Sequence, residues 1–287
     1  MNNFHQSLLD NAIELDHNGN TNEAIALYQQ IITLSPDWAT PYYNLGLIYK
    51  YRCEWEQSFN YNQKAAALNQ EDEAAWWNIG IASTALNNWE TARKSWNFFG
   101  LNLEINQDEL IMDLGKTPVR LNPDNNPEVI WAKRIDPART IIISVPLPES
   151  NHRYNDLLLN DGAPVGSRIS DGIEYAVFNE LQLLKPSFYK TFSIFAETNN
   201  QDHINILAEL CDRAEIGMED WSTIRLLCKQ CSEGTPHEQH DHVYKFSSDQ
   251  ARSIGLAATN IAVIEKILQE WYNLAAVEYT NPVLELE

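Results

Sequence analysis

The chain repeats itself. The segment "YYNLGLIYKYRCEWEQSFNYNQKAAAL" from Tyr42 lies on "WWNIGIASTALNNWETARKSWNFFGL" from Trp76 without a gap, at a shift of 34 residues. Leu45-Gly46 falls on Ile79-Gly80, Tyr42 on Trp76, Trp55 on Trp89 and Ser58 on Ala92. One period earlier the same frame selects Leu8, Ala12, Ala24, Tyr28 and Pro36, a more divergent first unit. A period of this length marks one supersecondary unit copied along the chain, and one copy alone cannot bury its apolar face, so the three must stack. Each unit pairs two amphipathic helices. Small residues at Ala24, Gly46, Ser58, Gly80 and Ala92 let helices approach, while Tyr42, Trp76 and Trp96 fill the gaps between them. "DHNGNTNEA" from Asp16 reads as a turn followed by a helix start, with Thr21 or Asn22 as N-cap.

These positions resemble the tetratricopeptide repeat family: a large residue, then Leu-Gly, then Ala, an aromatic and Pro at the family's spacing, over residues 3–104. The pattern departs from the family at Asn62, where an aromatic is usual, and at Gln70 and Glu104, where Pro is favoured. The resemblance implies a peptide- or protein-binding scaffold whose concave surface is lined by the first helix of each pair. Asn11, Tyr43, Asn44, Lys50, Trp77 and Asn78 are the residues expected to be exposed there. Asn44 and Asn78 share one repeat position, where the family often uses Asn to hold the backbone of an extended ligand. Asn11 is one residue out of that frame, which holds Asp10. Against this reading, Asn is a common solvated residue, and Tyr43 and Trp77 are more often packing residues.

The chain is long enough, at 287 residues, for a second domain. The organisation expected is a helical repeat domain over residues 1–105, a linker over 106–128 where turn formers gather in "GKTPVRLNPDNNPE", and an α+β domain over 129–287. In that last part "VIWAKRID", "TIIISVPL", "IEYAVFNELQLL" and "YKTFSIFAET" are β-branched and aromatic runs broken by turn residues, and they read as strands. "QDHINILAELCDRA", "EDWSTIRLLCKQC" and "NIAVIEKILQEWYNL" carry apolar residues at helical spacing. "VYKFSS" and "SIGLAAT" are short strand candidates, and "AAVEYTNPVLELE" could close the chain as an edge strand. Strands grouped first and helices later argue for an α+β fold with a mostly antiparallel sheet.

One stretch of this half bears on chemistry. "LCKQCSEGTPHEQHDH", over residues 227–242, offers Cys228, Cys231, His237, His240 and His242, thiolates and imidazoles that suit zinc. The two cysteines can share one helix face, but the five-residue gap to the histidines is far shorter than in a familiar zinc finger. Two readings stand: a structural zinc site, or a buried Cys228, a helix ended by Gly234 and a solvated histidine loop. A metal-dependent hydrolase with Asp241 or Glu238 as base is a third. "DPAR" from Asp136 and "DGAPVGSR" from Asp161 read as turns with Asp-to-backbone hydrogen bonds, and Arg139 and Arg168 could pair with carboxylates. There is no phosphate-binding glycine pattern, no nucleophile elbow around Ser144 and no legible triad, so no catalytic residue is assigned.

Forty acidic residues stand against twenty basic ones, a formal net charge of −20, which opposes binding to nucleic acid or to anionic lipid. Twelve acids and five bases precede Ile105, so both halves are acidic. The longest apolar runs fall far short of the roughly 20 residues that cross a bilayer, and the first residues lack a basic and apolar leader pattern. Four cysteines, two of them three apart, make no disulfide framework, and free thiols fit the cytoplasm. The function expected is non-enzymatic protein binding, most specifically an acidic inhibitor or immunity-type protein that neutralises a basic toxin. An adaptor or co-chaperone that binds extended peptides is the alternative.

Overall fold

The computed structural model describes residues 3–170, 172–223 and 251–287. It divides into two compact units, Met1–Ile111 and Met112–Glu287.

The first unit is a run of six helices: α1 (Asn3–His17), α2 (Thr21–Leu34), α3 (Ala39–Tyr51), α4 (Trp55–Leu68), α5 (Glu73–Ala85) and α6 (Trp89–Phe98). The period is visible in the turns inside each pair. Gly19, Cys53 and Asn87, 34 residues apart, are all left-handed, with φ of 80°, 56° and 55°. The following N–H then reaches back to a carbonyl five residues earlier: Asn20 to Leu15 at 2.8 Å, Glu54 to Tyr49 at 2.9 Å and Asn88 to Ser83 at 2.8 Å. These are Schellman closures, in which glycine alone escapes the Cβ penalty, so the stacking of the array holds Cys53 in a backbone its side chain disfavours. The N-cap of α2 is Asn20, one residue before the expected Thr21 and two before Asn22, and its side chain makes no cap bond. Asp72 and Asn88 do cap: their carboxylate and amide oxygens accept from Ala75 N–H at 3.0 Å and Thr91 N–H at 3.3 Å.

The second unit opens with a closed barrel of β1 (Lys116–Leu121), β2 (Glu128–Arg134), β3 (Arg139–Ile142), β4 (Leu157–Ser170) and β5 (Ile173–Lys185), in that strand order. Successive strands are antiparallel. With an odd number of strands in a meander, the first and last run the same way, and the ring closes through a parallel β1–β5 contact at Val119–Phe178 and Arg120–Asn179. Val119, Leu121, Ile130, Ala132, Ile142 and Leu158 alternate inward to fill it. Two expectations change here. The segment read as a linker contains β1, and "DGAPVGSR" is the middle of β4 rather than a turn. The β4–β5 ladder shifts register between Leu159 and Gly166, which is how it passes Gly162 and Pro164.

Next come β6 (Lys190–Ala196), α7 (Gln201–Arg213), β7 (Gly217–Asp220), β8 (Arg252–Ala258), α8 (Ile261–Ala275) and β9 (Val283–Leu286). The sheet order β7-β8-β6-β9, every neighbour antiparallel, is the split β-α-β arrangement of a ferredoxin-like topology. Helices α7 and α8 cover one sheet face with a core that includes Leu207, Leu210, Ile264, Leu268 and a fully buried Trp271. On the other face Trp221 lies against Gly255 and gives its indole N–H to the Val145 carbonyl at 2.9 Å. Glu219 and Asp220, read as the start of a helix, belong to β7. The overall class is α+β with mostly antiparallel sheets.

Side chains reinforce the short barrel seam. Glu180, on β5, accepts from Asn122 N–H at 3.0 Å with one oxygen and meets His152 Nε2 at 2.7 Å with the other. His152 Nδ1 faces the Ser150 carbonyl at 2.8 Å, an acceptor only, so the ring and Glu180 together must hold a proton beyond that of a neutral imidazole. Burial opposes charge on this ring. The hydrogen bond and charge of Glu180, the Ser150 carbonyl and Asp156 outweigh it and raise the His152 pKa above its ordinary 6.5. A raised folded-state pKa gives stability that is complete below pH 6.5 and is lost as pH rises through the folded value. Denaturant midpoints of the second unit are therefore expected to fall on going from pH 6 into the alkaline range. Glu180→Gln should flatten that slope, and an unchanged slope in the variant would refute the assignment.

Candidate functional site

The first helices of the repeats carry the residues that the sequence singles out, and the structure ties most of them to neighbouring helices. Asn44 Nδ2 donates to the Tyr28 hydroxyl at 3.3 Å, and Asn78 Nδ2 donates to Asn62 Oδ1 at 3.4 Å. Residues 28 and 62 are one period apart, as are 44 and 78, so this is one contact made twice: each Asn binds the preceding unit's second helix. Burial raises the pKa of the Tyr28 phenol, the Asn44 bond opposes that shift and Asp16 adds to it.

Position 62 is also where the repeat departs from an aromatic, and the packing accounts for it. Tyr28, Asn62 and Trp96 are equivalent residues, and Trp96 lies against Gly80 where a Cβ would collide with its ring. Asn62 lies against Gly46 in the same way but brings polar atoms. It is fully buried and satisfies them locally: its Nδ2 donates to the Ser58 carbonyl at 2.8 Å, while Ser58 Oγ donates to the Gly46 carbonyl at 2.9 Å. A buried amide costs little only when it is bonded in this way.

Of the six residues expected to be exposed, Asn11 is, on α1; Tyr43 and Asn44 are half-buried. Trp77 is half-buried too, held edge-to-face by Trp96 at 5.2 Å and Phe99 at 4.9 Å. Lys50 and Asn78 are buried, at 3% and 4% exposure, against the expectation. The reason for Asn78 is its bond to Asn62 beneath it; Lys50 has its ammonium 4.5 Å from the Tyr51 ring centre. Tyr51, which the sequence did not single out, is 59% exposed on the same helix. The structure thus brings Asn44 and Asn78 into equivalent places but leaves their amides engaged within the array.

The proposed zinc ligands Cys228, Cys231, His237, His240 and His242 lie outside the described residues. Among the described residues no group of three or more His, Cys, Asp or Glu side chains is placed to hold a metal ion. Cys211 is buried in the α7–α8 core, which pushes its thiol up to about 12 and keeps it protonated at neutral pH. The expected "DPAR" turn is present: Asp136 Oδ1 accepts from Ala138 and Arg139 N–H, and Asp136 Oδ2 meets Arg139 Nε at 2.5 Å.

Residues 17–50 match the TPR repeat model. That match spans the α2–α3 junction, so it covers the Tyr28–Asn44 contact. The run of six helices, its left-handed turns at the repeat spacing and its recurring Asn contact are consistent with TPR repeats throughout the first unit. No curated protein matches the chain. TPR repeats support a role in protein–protein interaction. Among the described residues no helix is long and apolar enough to cross a membrane.

Proposed function

We propose that this chain is a non-enzymatic, cytoplasmic protein-binding protein, and most specifically an acidic inhibitor of the immunity type that captures a basic toxin or effector. The observation that carries the reading is the charge of −20, distributed over both halves of the chain, joined to a TPR array. Such a surface raises the encounter rate with a basic protein and rejects acidic competitors, and both effects weaken as salt screens them. Engagement of the Asn44 and Asn78 amides inside the array favours capture of a folded partner over clamping of an extended peptide backbone. An adaptor or co-chaperone that holds such peptides remains the second reading, supported by the TPR match itself.

The test is native mass measurement of the tagged protein captured from its own host without chelator, followed by assay of the captured partner. The expected result is a one-to-one complex with a basic protein, dissociated by high salt, whose toxic activity is suppressed by an equimolar amount of this chain. A toxin whose activity is unchanged by stoichiometric excess would sink the inhibitor reading. The same spectrum reports whether zinc accompanies the chain through Cys228, Cys231, His237, His240 and His242.

A further inference from the structure

A groove of about 650 Å³ lies between α4 and α6, with α5 between them, lined by Asn60, Gln63, Lys64, Trp76, Thr91 and Lys94. It is built mainly on the second helices α4 and α6, with Trp76 contributed by α5, and uses none of Tyr43, Asn44, Trp77 or Asn78. We propose that this groove is a separate binding site for an extended peptide segment that carries an Asp or Glu side chain beside an apolar residue.

Charge makes the first part of the case. Of the five basic residues before Ile105, two line this groove, and none of the twelve acids does. The repeat supplies an internal control: one period earlier, the places of Lys64 and Lys94 are held by the uncharged Gln30 and Asn60. The architecture of the array therefore does not require lysine at either position. Lys94 pairs with Glu90 at 2.5 Å in an exposed, solvent-screened contact, and an ammonium has further donors for a second carboxylate. Lys64 stands 6.0 Å from the Tyr42 ring centre and is exposed.

The remaining lining fits an extended chain. Asn60 and Gln63 are exposed amides that can both donate to and accept from a peptide backbone. Trp76 is half-buried and fixed, with its indole N–H given to the Gln70 carbonyl at 3.0 Å and its ring stacked on Phe98 at 5.2 Å. That leaves a rigid apolar wall for a neighbouring side chain. The net charge of −20 repels an acidic peptide at a distance, but at physiological salt this repulsion is screened beyond about 8 Å, so the groove's own lysines govern contact.

The experiment titrates the full chain with a blocked five-residue peptide of alternating Glu and Leu, and with its Gln/Leu twin, by calorimetry and by following the Trp76 indole N–H resonance. The Glu peptide is expected to bind about tenfold tighter than its twin and to move that resonance. The double variant Lys64→Gln, Lys94→Asn, which installs the residues of the preceding groove, should abolish the preference and leave the circular dichroism spectrum unchanged. Equal affinity for the twins, or a preference that survives in the double variant, would overturn the proposal. Capture of a basic partner does not enter this test, so the two proposals stand or fall separately.

Discussion

Replacing Asp136 by Ala is expected to cost the second unit about 3–5 kcal/mol, the usual penalty for removing one member of a buried ion pair. Asp136 is fully buried and Arg139 is 3% exposed, and their side chains meet at 2.5 Å. The same carboxylate also accepts two backbone N–H groups, from Ala138 at 2.8 Å and Arg139 at 2.7 Å. The variant takes away a charge partner and two acceptor contacts where water does not replace them. Against a domain stability of about 5–15 kcal/mol, this brings the unit close to unfolding at ambient temperature. Asp136→Asn keeps an acceptor for the two N–H groups and should lose less. Hydrogen exchange read along β2, β3 and β4 checks it, with the repeat unit of the same molecule as reference. Equal loss in Ala and Asn would mean that the two backbone contacts contribute nothing and that the lost charge pairing accounts for the whole effect.

The second large effect is a coupling. Trp96 is fully buried against Gly80, and Trp96→Ala should cost about 3–5 kcal/mol through the cavity it leaves. Gly80→Ala by itself drives a methyl into the indole and should cost about 1–3 kcal/mol, although Ala is the better helix former by about 1 kcal/mol. In the Trp96→Ala background the collision is gone, so adding Gly80→Ala should be neutral or stabilising. The pair is then coupled by at least about 1 kcal/mol, which a double-mutant cycle in urea measures. Additive losses would show that the ring and the glycine do not constrain each other.

The repeat was legible because a stacked array leaves its period in the sequence: every unit meets the same environment, so equivalent positions solve the same packing problem. Even the left-handed turn recurs on schedule, although Gly19, Cys53 and Asn87 share no chemistry that would reveal it. Exposure was less legible. Asn78 looks like a surface residue until Asn62 is placed beneath it, and Asn62 looks like a lapse from the repeat until Ser58 and the Gly46 carbonyl are beside it. The groove lysines could have been found from the sequence by setting Lys64 against Gln30 and Lys94 against Asn60, but the spacing alone does not say that the two share a cleft.

In the second unit local signals misled where long-range pairing overrode them. Gly162, Pro164 and Gly166 are turn formers, yet β5 runs alongside and register shifts absorb them into β4. Glu219-Asp220 before an apolar run is a helix start by local preference, but pairing with Gly255 and Ile254 of β8 makes it a strand. From the amino-acid order alone follow the three-unit array, its two-helix hairpins, the acidity and the mixed α+β character, because these rest on periodicity and composition, which are local or additive. The closure of the barrel, the β7-β8-β6-β9 order and the difference between an exposed amide and a buried one came only from the tertiary structure. They depend on which distant segments share a hydrogen-bond ladder, and short strands do not encode that choice in their own residues.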